Sequence, residues 1–243
     1  VSDDDQRDRI FSRRLSEVKA FEFNETVAGV FKDMIARSVP GYSLLLRMIG
    51  LYADIFVTPG SQVFDLGCSL GEASLLIADR ARGGDCRIVA VDNSTAMIEK
   101  CRRHQTPGNT IEWRCEDIRH ISIEDASMVV LNLTLQFLQP EERRGLLEKI
   151  YRGLNPGGVL ILSEKVSFED EAENLRMMQL YQGFKKTMGY SDLEISQKRN
   201  ALENVLIPDS EQQHYRRLKH IGFGEIYQCF RGFNFVSFLA IKA

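Results

Sequence analysis

The stretch Val63-Phe-Asp-Leu-Gly-Cys-Ser-Leu-Gly71 decides the fold. A short apolar run closes on Asp65, passes through Gly67, Ser69 and Gly71, and opens into a helix expected from about Leu70 to Ala81. A strand that turns through glycine into a helix lets the backbone approach a ligand that side chains would push away. The dinucleotide form of this turn requires G-x-G-x-x-G, yet Ser69 replaces the second glycine and Glu72 stands where the third belongs. A pyrophosphate against Glu72 would be repelled. The pattern suits a ligand with an adenosine and a zwitterionic amino-acid tail but no phosphate.

Downstream the βα rhythm continues. Arg87 to Asp92 reads as a second strand, Thr95 to His104 as a helix, Thr110 to Cys115 as a third strand and Ala126 to Asn132 as a fourth. Pro140 to Leu154 reads as a helix, followed by Asn155-Pro-Gly-Gly and the strand Val159 to Ser163. Strands alternating with helices imply an α/β fold with a parallel sheet covered on both faces. Asp92 ends the second strand 21 residues past Gly71, where an acidic side chain accepts hydrogen bonds from ribose hydroxyls. After the third strand, Asp117 can take an adenine amino group while Ile118 packs on the ring, and Asn132 ends the fourth strand at the same crevice. An isolated strand-end Asp is ordinarily a cap or turn former. Asp65, Asp92 and Asp117 at three successive strand ends outweigh that reading. Cys68 sits at a helix start that could lower its pKa, but with no histidine nearby in sequence it reads as a small packing residue.

Upstream, residues 24–56 carry apolar positions at three- and four-residue spacing, which predicts two amphipathic helices broken at Val39-Pro-Gly-Tyr42. Residues 1–22 alternate acids and arginines and read as a flexible N-terminal arm. Residues 23–243 then form a single α/β domain carrying a helical insertion at 165–220 over the sheet's working edge. Within that insertion Ser191 and Glu194 form a capping box for a helix through Arg199 to about Val205. Two strands, near Glu225 to Phe230 and Phe233 to Lys242, close the chain.

Composition bounds the function. The 243 residues hold 31 Lys+Arg against 34 Asp+Glu, a net charge of −3, which argues against gripping nucleic acid with the whole surface. An anionic ligand would need a local basic site. The clusters Lys100, Arg102, Arg103 and Arg216, Arg217, Lys219 sit at helical spacing and read as solvated faces. Five cysteines without Cys-x-x-Cys or clustered histidines predict neither a disulfide framework nor a metal site. Met128 to Leu138, the most apolar stretch, is too short to span a bilayer, and the N-terminus lacks an apolar signal core. A cytoplasmic address with no membrane contact is the expectation.

Asp65-Leu-Gly-Cys-Ser-Leu-Gly, Val91-Asp92, Glu116-Asp117-Ile118 and Leu154-Asn-Pro-Gly-Gly resemble the successive motifs of the class I S-adenosylmethionine-dependent methyltransferases. That resemblance implies a Rossmann-like, seven-stranded, mostly parallel sheet with an antiparallel last strand, and S-adenosyl-L-methionine as ligand. Arg37-Ser-Val-Pro-Gly-Tyr42, Asn132 to Leu138, Leu162-Ser-Glu-Lys165, Ser167-Phe-Glu-Asp170 and Gly189 through Arg199 are similar to the carboxy-S-adenosyl-L-methionine synthases. The likeness runs over nearly the whole chain after residue 22.

This narrower resemblance implies that S-adenosyl-L-methionine and prephenate become carboxy-S-adenosyl-L-methionine and phenylpyruvate, with no metal. It assigns Tyr42, Gly67, Cys68, Ser69, Asp92, Asn93, Asp117, Ile118 and Asn132 to the adenosyl ligand, and Arg199 to the new carboxylate as the catalytic candidate. It further implies a homodimer without direct nucleic acid binding, whose product passes to a tRNA carboxymethyltransferase for wobble uridine modification. The residues themselves leave open an ordinary methyltransferase or a non-catalytic module that binds an adenosyl ligand.

Overall fold

In the computed structural model, which describes residues 7–81, 86–104 and 111–243, alternate residues of β1 (Gln62–Leu66) serve two cores. Phe64 and Leu66 join a cluster with Leu146, Leu147, Ile150 and Leu218. Val63 joins another with Ile49, Ala53, Ile77 and Ile98. A strand that is apolar on both faces must be covered on both. The chain achieves this by laying β1, β2 (Arg87–Asp92), β3 (Ile111–Cys115), β4 (Ala126–Asn132) and β5 (Leu154–Ser167) parallel. Helices α3 (Glu72–Arg80), α4 (Thr95–Arg103) and α5 (Pro140–Gly153) make the crossovers.

The strand order is β3-β2-β1-β4-β5-β8-β7, with β8 (Phe235–Lys242) antiparallel between β5 and β7 (Phe223–Gly232). The two-residue β6 (Asp209–Ser210) pairs with the end of β5. This is the expected Rossmann-like sheet. Its order reverses between β1 and β4, and ligands of open α/β sheets bind at the carboxyl ends of strands beside such a reversal.

Ahead of the sheet lie α1 (Glu25–Ser38) and α2 (Tyr42–Phe56), broken at the expected place. Gly41 takes φ +72°, and a Cβ there would meet the Phe230 ring at 2.7 Å. Of the insertion, α6 (Glu171–Thr187) and α7 (Asp192–Leu202) stand over the sheet edge. The expected end at residue 220 is too late: α8 (Glu211–Ile221) buries Leu218 in the same core as α5 and belongs to the sheet's covering layer. Helix α7 ends at Leu202 rather than near Val205, and β5 is longer than the expected 159–163 at both ends. Thr110, the expected start of β3, lies outside the described residues.

The N-terminal segment, expected as a flexible arm, packs on the domain at several points, although residues 12–17 are exposed; residues 1–6 lie outside the described residues. Asp8 is 2% exposed. Its backbone N–H donates to Asp33 Oδ2 at 2.7 Å, its Oδ2 accepts from the Tyr190 hydroxyl at 2.6 Å, and its carbonyl accepts from Arg37 Nη2 at 2.9 Å. Gln197 Nε2 donates to the carbonyls of Phe11 and Arg13, both at 2.9 Å, and the Phe21 N–H donates to the Ala201 carbonyl at 2.9 Å. The segment's polarity satisfies polar groups of α1 and α7 that would otherwise be buried unpaired.

Candidate active site

The loop from β1 to α3 is shaped by three positive φ angles, at Gly67 (+79°), Ser69 (+50°) and Gly71 (+74°). A Cβ at Gly67 would fall 2.4 Å from Thr134 Cγ2 and Oγ1, so the loop can pack against the end of β4 only with glycine there. The Ser69 backbone N–H donates to Asp92 Oδ2 at 2.9 Å, and the Ser94 N–H donates to Asp92 Oδ1 at 2.8 Å. Burial pushes the Asp92 carboxyl pKa up, while these two donors pull it down. Asp65 points away from the crevice into the protein, where Ser74 Oγ donates to it at 2.5 Å. Burial, with the Asp92 charge adding, raises its pKa to about 6.

A cavity of about 620 Å³ opens over these strand ends, a size that suits a small-molecule ligand. Gly67, Ser69, Asp92, Asn93, Asp117, Ile118, Asn132 and Arg199 all line it. Asn132 Oδ1 is buried without a hydrogen-bond partner, an acceptor that a ligand donor would satisfy. Asp117 faces the cavity, but Arg119 Nε donates to both of its oxygens, at 2.9 and 3.0 Å, and holds its pKa down. Arg119 in turn bridges to Glu142 at 2.5 Å. The Gly67 cradle, the Asp92 carboxylate and the orphan Asn132 acceptor therefore fit an adenosyl ligand with an amino-acid tail.

Two expected residues do not line this cavity with their side chains. Tyr42 is not on the cavity wall; its hydroxyl donates to Glu72 Oε2 at 3.1 Å, joining the start of α2 to the start of α3. Cys68 is buried beneath the loop, where burial and the Asp65 and Asp92 charges push its thiol pKa well up, opposite to an activated nucleophile. Among the described residues no three His, Cys, Asp or Glu side chains group to hold a metal.

Part of the cavity wall is basic. Lys165 reaches it from β5, Lys185 from α6, and Lys198 and Arg199 from α7. Phe21, Phe23 and Phe31 supply an apolar flank. The ring of Phe23 meets those of Phe21 and Phe31 edge-on at 5.2 and 6.1 Å. Of these groups the sequence reading singled out Arg199 alone. Lys165 and Lys198 lie in segments that carry the family resemblance but come from different elements, Lys185 lies in none of them, and the aromatic flank begins within residues 1–22.

Residues 63–158 match a methyltransferase domain family. The chain is 53% identical to a carboxy-S-adenosyl-L-methionine synthase of Escherichia coli (strain K12), over 98% of this chain and 97% of that protein. It is 54% identical to the protein of the same name in Vibrio vulnificus (strain CMCP6), over 97% of each chain. The chain belongs to the carboxy-S-adenosyl-L-methionine synthase family. Its fold is also that of solved methyltransferases. Human N-acetylserotonin methyltransferase in complex with SAM matches with a TM-score of 0.61 and 18% identity, over 90% of this chain and 55% of that one. A magnesium protoporphyrin IX methyltransferase from Synechocystis PCC 6803 with bound SAH matches with a TM-score of 0.57 and 14% identity, over 83% of each chain. Membership of the synthase family makes this chain an enzyme with S-adenosyl-L-methionine as substrate.

Proposed function

We propose that the chain converts S-adenosyl-L-methionine and prephenate into carboxy-S-adenosyl-L-methionine and phenylpyruvate, with the adenosyl ligand held by the strand-end residues and the anionic chemistry by the basic wall. The observation that carries this reading is that Lys165, Lys185, Lys198 and Arg199 line a single cavity, with the other three near enough to repel the Lys185 charge. Methyl transfer to a neutral acceptor has no use for four cations.

The chemistry balances without an added base. Aromatisation of the prephenate ring breaks the bond to its carboxylate, releasing carbon dioxide, and expels the ring hydroxyl as hydroxide. The hydroxide takes a proton from the sulfonium methyl to give water and an ylide, whose carbanion bonds to the carbon dioxide. The protein's part is proximity, exclusion of water and charge complementarity. Arg199 suits the new carboxylate, because its planar fork offers two parallel donors.

The product is read as the carboxymethyl donor for a separate tRNA wobble-uridine carboxymethyltransferase. In support, three of the six cations in the candidate nucleic-acid clusters are engaged within the fold: Lys100 Nζ donates to the Ala28 carbonyl at 2.8 Å, Arg102 to the Trp113 carbonyl at 2.9 Å and Arg217 to Asp209 at 2.7 Å. A homodimer is supported by Leu44, Leu51 and Ile55, which leave one stripe of α2 exposed. No described helix is long and apolar enough to cross a membrane.

Incubation with S-adenosyl-L-methionine and prephenate, followed by mass spectrometry, tests the reading. One carboxyl group should appear on the nucleoside as phenylpyruvate accumulates in equal amount. Formation of S-adenosylhomocysteine instead, or no change in the nucleoside, overturns it.

A further inference from the structure

Lys185 is 8% exposed and lines the cavity from α6. Its Nζ lies 4.3 Å from the centre of the Tyr181 ring, and Lys165 Nζ approaches the same ring at 5.4 Å from the end of β5. Tyr181 is itself fixed by an edge contact to Phe235 at 5.3 Å. Among the described residues, no carboxylate comes within ion-pairing distance of Lys165 or Lys185. The neighbouring Lys198 is different: Ser38 Oγ accepts from its Nζ at 2.9 Å and Asp8 Oδ2 lies at 3.6 Å.

Two ammonium groups sharing one aromatic ring, one of them deeply buried and neither paired with a carboxylate, form an arrangement that a fold built only for stability avoids. The cost is visible in Lys185, whose pKa falls to about 7, first through burial and then through repulsion from Lys165, Lys198 and Arg199. An anion entering the cavity would remove that cost. The Tyr181 ring beside the amines also offers an apolar surface against which a planar ring can pack.

We propose that Lys165, Lys185 and Tyr181 form the subsite for the carboxylate of the carbon-dioxide donor that survives the reaction, the side-chain carboxylate of a cyclic dicarboxylate. Arg199 then attends the carboxylate that is transferred. This assignment rests on the reading that a dianion of the prephenate class supplies the carbon dioxide. It divides the basic wall by fate: the lysine pair holds the same anionic group in substrate and product, whereas Arg199 gains its partner on the nucleoside.

The division is tested by binding as well as turnover. Protein loaded with S-adenosylhomocysteine cannot react, so the affinities of prephenate and phenylpyruvate for it can be measured by calorimetry. Lys185→Met and Lys165→Met should each weaken both ligands tenfold or more, leave S-adenosylhomocysteine affinity within twofold, and raise the KM for prephenate more than they lower kcat. Arg199→Ala should leave phenylpyruvate affinity unchanged. Met replaces the buried cation with an apolar chain of similar length, and unfolding curves verify that each variant folds; Lys185→Gln serves if Met does not. If the intact protein turns over prephenate while the lysine variants retain its KM and the affinity for phenylpyruvate, the subsite is wrong and the co-substrate stands. If the intact protein binds phenylpyruvate through the lysines but forms no carboxylated nucleoside, the co-substrate is wrong and the anion subsite stands. Binding of neither anion to the intact protein overturns both.

Discussion

The Ser69 backbone N–H donates to Asp92 Oδ2 at 2.9 Å, so the glycine loop and the acid at the end of β2 are one unit. The other carboxylate oxygen is used by Ser94 at the start of α4. Asp92→Ala therefore releases two backbone donors and removes the acceptor proposed for the ligand. Hydrogen bonds to a charged group are worth roughly 1.5–3 kcal/mol each, so S-adenosyl-L-methionine affinity should fall at least about tenfold. Calorimetric titration that finds undiminished affinity would remove Asp92 from the site.

Gly67 and Thr134 meet where the loop crosses the end of β4. Ala at position 67 would have to keep φ +79° and place its Cβ 2.4 Å from two Thr134 atoms. Gly67→Ala should lose about 1–3 kcal/mol of stability through overpacking and strain. Thr134→Ala in the same chain removes the two nearest of three clashing atoms, leaving Cβ at 2.9 Å, and should restore part of the loss in urea unfolding. Additive losses in the double variant would show that the contact is not the cause.

For Arg199 the expected loss depends on the ligand. Arg199→Ala should weaken carboxy-S-adenosyl-L-methionine by about 2 kcal/mol, roughly thirtyfold, while S-adenosyl-L-methionine, without the carboxylate, is little affected. Competition binding with the two nucleosides gives the ratio directly, and equal losses would exclude Arg199 as the carboxylate's partner.

Asp65 sets a pH dependence on the ligand-free protein. Its carboxyl pKa is raised from 3.8 to about 6, so the folded state holds a proton that the unfolded state has lost between those values. Its contribution to stability is fully present below 3.8 and is lost as pH rises through about 6. About two pKa units correspond to roughly 3 kcal/mol. Asp65→Asn should therefore gain on the parent chain by that order between about pH 4 and pH 7 in urea titrations. A stability difference that stays flat across the window would contradict the assignment.

Arg143 is 0% exposed, pairs with Asp209 at 2.8 Å, and donates to the Leu138 and Ile207 carbonyls at 2.8 and 2.7 Å. It locks α5 to the segment leading into α8. Arg143→Ala leaves Asp209 with Arg217 and strands two carbonyls, a change that costs about 3–5 kcal/mol. At this chain length the melting temperature should fall by about 10 °C. A shift of one or two degrees would mean that water replaces the guanidinium.

What the sequence made legible was the part written in local pattern. The turn from Asp65 to Gly71, the strand-end Asp92, Asp117 and Asn132, and the helix break at Gly41 each depend on neighbours in the chain, and each lies where the pattern put it. For Tyr42 and Cys68 the local pattern does not reveal that the hydroxyl of one donates to Glu72 and that the thiol of the other is buried. Lys165 and Lys185 were illegible because their meaning comes from sharing Tyr181, a relation between a strand and a helix. The packing of residues 7–22 was hidden for the same reason. Asp8 finds its partners 25 and 182 residues away, at Asp33 and Tyr190.

The methyltransferase-domain match, residues 63–158, contains none of the four cations on the basic wall. On the proposed reading, the strand ends hold the adenosyl donor, while α6, α7 and the end of β5 supply the cations that set the reaction. A lineage can therefore change what becomes of the sulfonium methyl by altering surface helices while the folding core stays untouched. The signature that identifies the fold is silent on whether the methyl group leaves or is rebuilt in place.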